Sequence, residues 1–195
     1  GVGIHTGVQA EITLVPAQPN VGLVFVTEKG DHIPAHNRFI SNTFACTTLC
    51  RENASVQTVE HLLAAIAILK IDNLYIHISG PEVPVMDGSA YPFVFAMMSV
   101  GVVLQDVPKK YWVVTKAVKV RGTGESFCSI EPYSHGFKGS FELNVGFDHI
   151  PNKCLKTEID LSKNHSTLEF IRSRTFGFRR DLTFLHQKNL ALGAN

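Results

Sequence analysis

Residues 62–69, Leu-Leu-Ala-Ala-Ile-Ala-Ile-Leu, are all apolar, and the two residues before them, Glu60 and His61, are both ionisable. An uninterrupted apolar run of this kind reads as a buried helix that water reaches only at its ends. The pattern predicts a helix over about residues 56–69, with Ser55 as its N-cap and the acid and imidazole in its opening turn. Charged groups are rarely buried unless they are paired or bind a metal. A carboxylate beside an imidazole at the start of a helix is one way to build a hydrolytic metal site. The plainer alternative is that the pair decorates an exposed first turn.

The chain has 195 residues, enough for one large or two small domains, with 45% hydrophobic and 18% charged residues and a formal net charge of +1. Such a balance argues against a nucleic-acid or membrane-surface partner held by electrostatics, so a negatively charged ligand has to be recognised locally. The longest apolar runs fall short of the roughly 18 residues of a membrane span, and no signal-peptide pattern is present. The cysteines Cys46, Cys50, Cys128 and Cys154 show no Cys-x-x-Cys spacing, which points to free thiols in a reducing cytoplasm. The chain opens on Gly1 rather than Met and closes on a loop-like Leu192-Gly193-Ala194-Asn195, so it reads as a fragment of a longer protein.

Residues 10–15 and 22–26 read as short strands of a meander, and residues 43–49 as another strand. Leu74, Ile76 and Ile78 alternate with Tyr75, His77 and Ser79, the period of a half-buried strand, with His77 facing solvent. A Pro- and Gly-punctuated loop over residues 80–90 leads into a second apolar helix over about 92–100, where Pro92 suits the first turn. A boundary near residues 105–110 separates a first α+β unit, 1–106, from a second, 107–195. In the second, residues 111–120 and 126–130 flank Gly122-Thr123-Gly124 as a hairpin, and Phe141, Leu143, Val145 and Phe147 alternate as a third strand. Ser166-Thr167-Leu168-Glu169 is a capping-box sequence opening a helix to about Ser173, and Asp181 starts a last helix ending near Asn189.

Consecutive helical residues point about 100° apart, so Glu60 and His61 do not stack on one face, yet they can converge on one metal-bound water. In a zincin His-Glu pair the histidine holds the metal while the glutamate takes a proton from that water, and Glu60-His61 offers the two roles in reverse order. A catalytic zinc usually needs three protein ligands. The nine histidines of the chain form no His-x-x-x-His pair fit for a helix, because Pro34 lies between His32 and His36. The segment Gly1-Val2-Gly3-Ile4-His5-Thr6-Gly7 lacks dinucleotide-loop spacing and reads as a tight turn presenting Ile4 and His5. In Arg174-Thr175-Phe176-Gly177-Phe178-Arg179 a hydroxyl donor stands among aromatics and arginines. It suits either an oxyanion and an apolar slot or a plain interhelical loop.

Together with Ile71-Asp72-Asn73 and Gly80-Pro81-Glu82-Val83-Pro84-Val85-Met86-Asp87-Gly88-Ser89-Ala90, these segments make the chain resemble the zinc-dependent UDP-3-O-acyl-N-acetylglucosamine deacetylases of lipid A biosynthesis. The resemblance runs co-linearly over the whole chain. It implies two similar α+β units, each a sheet with a pair of helices, the helices packed between the sheets and the active site between the units, with the second unit incomplete. It implies Zn2+ as cofactor, with His61 a metal ligand and Glu60 the general base for hydrolysis of a UDP-linked acylated aminosugar. Thr175 would help bind the oxyanion beside Phe176. Ile4, Phe178 and Leu182 would border the acyl passage, with His5 in the same turn as Ile4, and Phe147 and Asp181 would lie toward the nucleotide.

The chain departs from that pattern in having Phe147-Asp148-His149 for the usual Phe-Asn-His and Leu192-Gly193-Ala194-Asn195 for the usual Gly-Gly-Ser. The family's other two zinc ligands and its general-acid histidine are expected beyond Asn195. Two alternatives therefore stand beside a cytoplasmic hydrolase: a truncated, non-catalytic relative that binds an acylated sugar nucleotide, and a structural fragment that needs a partner. Acyl length and oligomeric state are not legible in the sequence.

Overall fold

Leu74, Ile76 and Ile78 place three buried side chains on one face of a strand, and the sheet of the first unit forms around it. The computed structural model describes residues 1–144, 154–161 and 169–194. Its strands are β1 (Ile12–Pro16), β2 (Leu23–Thr27), β3 (His32–Pro34), β4 (Ile40–Asn42), β5 (Thr48–Arg51), β6 (Ala54–Val56), β7 (Leu74–Ile78), β8 (Val118–Arg121), β9 (Phe127–Ile130), β10 (Lys138–Asn144) and β11 (Cys154–Asp160). Its principal helices are α1 (Glu60–Ile68), α2 (Tyr91–Val100) and α3 (Arg179–Gln187). This is an α+β architecture. The backbone divides into two compact units, Gly1–Val107 with Ile171–Asn195, and Pro108–Phe170. The sequence boundary puts residues 171–195 in the second half, whereas the backbone groups them with the first.

In the first unit a four-stranded sheet has the order β1-β7-β2-β3, and a smaller sheet has the order β4-β5-β6. The strands expected at 10–15 and 22–26 both form, but not as a meander. β7 lies between them, antiparallel to β1 and parallel to β2. A parallel neighbour needs a crossover, which α1 provides on the way into β7. Leu62, Ala65 and Ile66 of α1 and Phe93, Val94 and Met97 of α2 share one core with Phe25, Ile33, Ile76 and Ile78 of the sheet. Only this stripe at i, i+3 and i+4 is fully buried. Contrary to the expectation for a wholly apolar run, Ala67 is exposed, as are Phe95 and Met98 on α2.

The start of α1 also differs from expectation. Ser55 belongs to β6 and caps nothing, and the helix opens at Glu60 with Val59 at the cap and no side-chain capping bond. The cause is a sharp turn: Thr58 sits at φ +55°. Gln57 meanwhile donates its N–H to the carbonyl of Pro81, and Val83 donates to the carbonyl of Gln57, at 3.0 Å each. These bonds end the strand path and redirect the chain. The predicted strand at 43–49 is replaced by the turn between β4 and β5, with only Thr48 and Leu49 inside β5.

In the second unit the Gly122-Thr123-Gly124 hairpin forms between β8 and β9, though the strand starts at Val118 rather than 111. β10 and β11 pair antiparallel over Lys138–Asn144 and Cys154–Asp160, with Lys138–Glu158 and Lys156–Glu142 ion pairs at 3.0 and 2.7 Å across the ladder. Phe147 and the start of the capping-box helix lie outside the described residues, and residues 169–171 are helical. The last helix begins two residues before Asp181. Among the described residues no helix is long and apolar enough to cross a membrane, and Cys46, Cys50 and Cys128 are free thiols.

Candidate functional site

Glu60 and His61 are the first two residues of α1, between the buried Val59 and Leu62. Glu60 is exposed and His61 half-buried, so the pair stands at the rim of the core, where an apolar helix meets water. The carboxylate of Glu60 is aimed by a backbone contact: the N–H of Thr47 donates to its Oε1. Thr47 lies between Cys46 and Thr48, which line a cleft of about 220 Å³ together with Phe44, Gln57, Lys188 and Leu190. The β4–β5 turn thus brings a small cleft with a thiol, a hydroxyl and an amine next to the acid. No periodicity or motif in the chain marks it.

The buried polar centre of the unit is Glu82, which is fully shielded from solvent. Its carboxylate accepts from the hydroxyl of Thr58 (2.7 Å), the N–H and hydroxyl of Thr6 (2.8 and 2.7 Å) and the N–H of His5 (3.0 and 3.2 Å to the two oxygens). Burial by itself pushes this carboxyl up. The bonds from Thr58, Thr6 and His5 together reverse that and hold it below the usual carboxylate range. The glycine turn is thereby pinned beside the entrance to α1. Gly3 has to be glycine, because a β-carbon there would collide with Oε2 of Glu82.

A group whose carboxyl is depressed in the fold stabilises the folded state above its ordinary titration range, and that stability is lost as the pH falls. The unfolding free energy of the parent is therefore expected to exceed that of Glu82→Gln at pH 7. The gap should close as the pH drops below about 4. Urea melts of both proteins across that range check this, and a gap independent of pH would contradict it.

His5 is itself buried, and its segment is a docking edge: Ala191 donates its N–H to Nδ1 of His5 (3.4 Å), Leu192 to the carbonyl of His5 (3.1 Å) and Gly193 to the carbonyl of Ile4 (3.0 Å). Ile4 is half-buried in the same turn. On the loop before α2, Asp87 accepts from the hydroxyl and N–H of Ser89 (2.7 and 3.0 Å) and pairs with Arg174 at 3.4 Å. The hydroxyl of Ser89, partly offset by desolvation, lowers the carboxyl of Asp87, with smaller help from the Ser89 amide and from Arg174. Thr175 is tied to the same loop, its N–H donating to the carbonyl of Gly88 at 2.8 Å. Gly88 sits at φ +84°, which favours glycine.

Of the residues singled out in the sequence, Ile4, His5, Glu60, His61, Thr175, Phe176, Phe178, Asp181 and Leu182 all fall in the unit that carries α1. Thr175, Phe176 and Asp181 are exposed, and Phe178 and Leu182 are half-buried. The rings of Phe176 and Phe178 meet edge to face with centroids 5.7 Å apart. Glu82 and Asp87, which hold the glycine turn and the loop before α2, belong to the 80–90 segment that carries the resemblance but are not among the candidate site residues. The residue-level signal for Glu82 is a single acid in an otherwise apolar Gly-Pro-x-Val-Pro-Val stretch. Among the described residues no three His, Cys, Asp or Glu side chains come together to hold a metal ion. His61 alone does not make a zinc site; the residues described fit one ligand of a set and not the set.

These features define an α+β chain in which an acid and an imidazole open an apolar helix whose entrance Glu82 ties to the glycine turn. The comparisons sharpen this class. A model of the family of UDP-3-O-acyl N-acetylglycosamine deacetylases matches residues 1–195. The UDP-3-O-acyl-N-acetylglucosamine deacetylase of Stenotrophomonas maltophilia strain K279a is 42% identical over 198 residues, covering 100% of this chain and 65% of the relative. The proteins of the same description from Coxiella burnetii strain RSA 493 / Nine Mile phase I and Xanthomonas axonopodis pv. citri strain 306 are 42% and 40% identical, with the same shares covered. The chain belongs to the UDP-3-O-acyl N-acetylglycosamine deacetylase family, and it spans 65% of the length of these curated relatives.

Proposed function

We propose that the full-length protein to which this chain contributes hydrolyses the N-acetyl group of a UDP-3-O-acyl-N-acetylglucosamine in lipid A biosynthesis. In that reaction the amide C–N bond breaks, a C–O bond to water forms, acetate leaves and the amine at C2 takes up a proton. The observation that carries the reading is the placement of Glu60 and His61 at the open end of an otherwise apolar helix, within a chain co-linear with named deacetylases.

The carboxylate of Glu60, aimed by the Thr47 amide and open to solvent, accepts the proton of the attacking water. The Thr175 hydroxyl, on a loop anchored to Gly88, donates to the oxygen that gains charge. Ile4, His5, Phe176, Phe178 and Leu182 serve the acyl-bearing part of the substrate, and Phe147 and Asp181 the nucleotide end. Zn2+ is the proposed cofactor, with His61 as its one ligand among the described residues. A bound zinc supplies Lewis acidity and acidifies water. The proposed compartment is the cytoplasm, which suits the free thiols of Cys46, Cys50 and Cys128.

The test is to incubate the full-length protein with the acylated sugar nucleotide and follow acetate and free amine together. Equal release of both is expected. Binding of the sugar nucleotide without release would identify a non-catalytic relative and overturn the proposal.

A further inference from the structure

We propose that Glu82 is a positioning residue for the Glu60–His61 pair and acts on it through Thr58. The proposal rests on the reading above that this pair does the chemistry. Helix α1 has no side-chain cap at its start, so the direction of its first turn is set by the three residues before Glu60. Each of them is fixed. Gln57 forms a parallel bridge with Glu82, Thr58 donates its hydroxyl to Glu82, and Val59 is buried in the core.

Thr58 is the telling member. It is β-branched and sits at φ +55°, in the left-handed region that such residues rarely occupy, and it is 4% exposed. Strain of this kind persists only where the surroundings over-determine it, and it gathers at functional sites. The surroundings here include the carboxylate of Glu82, which accepts from Thr58, Thr6 and His5 at once. The same carboxylate holds the amides of His5 and Thr6, so one buried charge sets the helix entrance and the glycine turn relative to each other. A shift of about 1 Å in a reacting group is enough to cost on the order of a hundredfold in rate.

The test uses the full-length protein and the isosteric variant Thr58→Val, which removes the hydroxyl that reaches Glu82 and keeps the bonds from Glu82 to the glycine turn. The expected result is a fall in kcat of about tenfold to a hundredfold with KM little changed, and recovery to within about twofold of the parent in Thr58→Ser, which restores the hydroxyl. The core variant Ile33→Val, in β3, controls for stability loss alone and should keep the parental kcat. A Thr58→Val enzyme as fast as the parent overturns the proposal, and so does a kcat that tracks melting temperature across all three variants. Amide hydrogen exchange gives a readout independent of turnover: Thr58→Val should speed exchange in the first turn of α1 and leave β7 unchanged, and unaltered exchange there also overturns the proposal. If the parent releases no acetate, the functional assignment fails by itself, and the exchange data still decide the role of Glu82.

Discussion

Replacing Glu60 by glutamine is expected to slow acetate release by the full-length protein about 10²- to 10⁴-fold, the span attributed to a positioned general base. Glutamine has nearly the size and shape of glutamate, and its amide oxygen still accepts the N–H of Thr47, the contact that aims the side chain. What it lacks is the ability to take a proton. Glu60 is exposed and lies outside the buried core, so stability should change by no more than about 0.5 kcal/mol. KM should stay near that of the parent, because the lost interaction is made in the transition state. Steady-state kinetics beside a urea melt check both halves. A variant with undiminished turnover would remove Glu60 from the chemistry.

The second large effect is on stability. Glu82→Leu fills most of the same volume but leaves the hydroxyls of Thr58 and Thr6 and the amides of His5 and Thr6 without their acceptor. A buried donor that loses its partner costs about 1–3 kcal/mol, and breaking up a buried charged network about 3–5 kcal/mol. The expected loss is about 3–5 kcal/mol, a large share of the total stability of a domain. The same substitution should loosen Ala191, Leu192 and Gly193, which dock on Ile4 and His5. Urea-unfolding midpoints with limited proteolysis near the C-terminal docking segment measure this. A loss below about 1 kcal/mol would show that water or the backbone takes over the donors.

The parts of this fold that local patterns encode were legible beforehand. The alternation of Leu74, Ile76 and Ile78 specified β7, Pro92 marked the first turn of α2, and the apolar run after His61 specified α1. What failed depends on contacts distant in sequence. Nothing near residues 12–27 says that β7 will insert between β1 and β2. Ser55 looked like a cap because the bonds that bend the chain at Gln57 tie it to Pro81 and Val83, in a loop more than twenty residues away. The same limit governs the site. Glu60 and His61 were visible as an anomaly ahead of an apolar run, and Thr175 as a hydroxyl among aromatics. Glu82 gathers its partners from two segments far from it in sequence, His5–Thr6 and Thr58, and the cleft beside Glu60 joins the β4–β5 turn to Lys188 and Leu190. Neither has a spacing that a single sequence reveals.

The most direct measurement is anomalous diffraction at the zinc edge from crystals of the full-length protein grown with the metal. The account predicts one strong peak bonded to the ring of His61, with the carboxylate of Glu60 facing it at the mouth of α1. A peak bonded elsewhere, with His61 free and Glu60 turned away from it, would contradict the account.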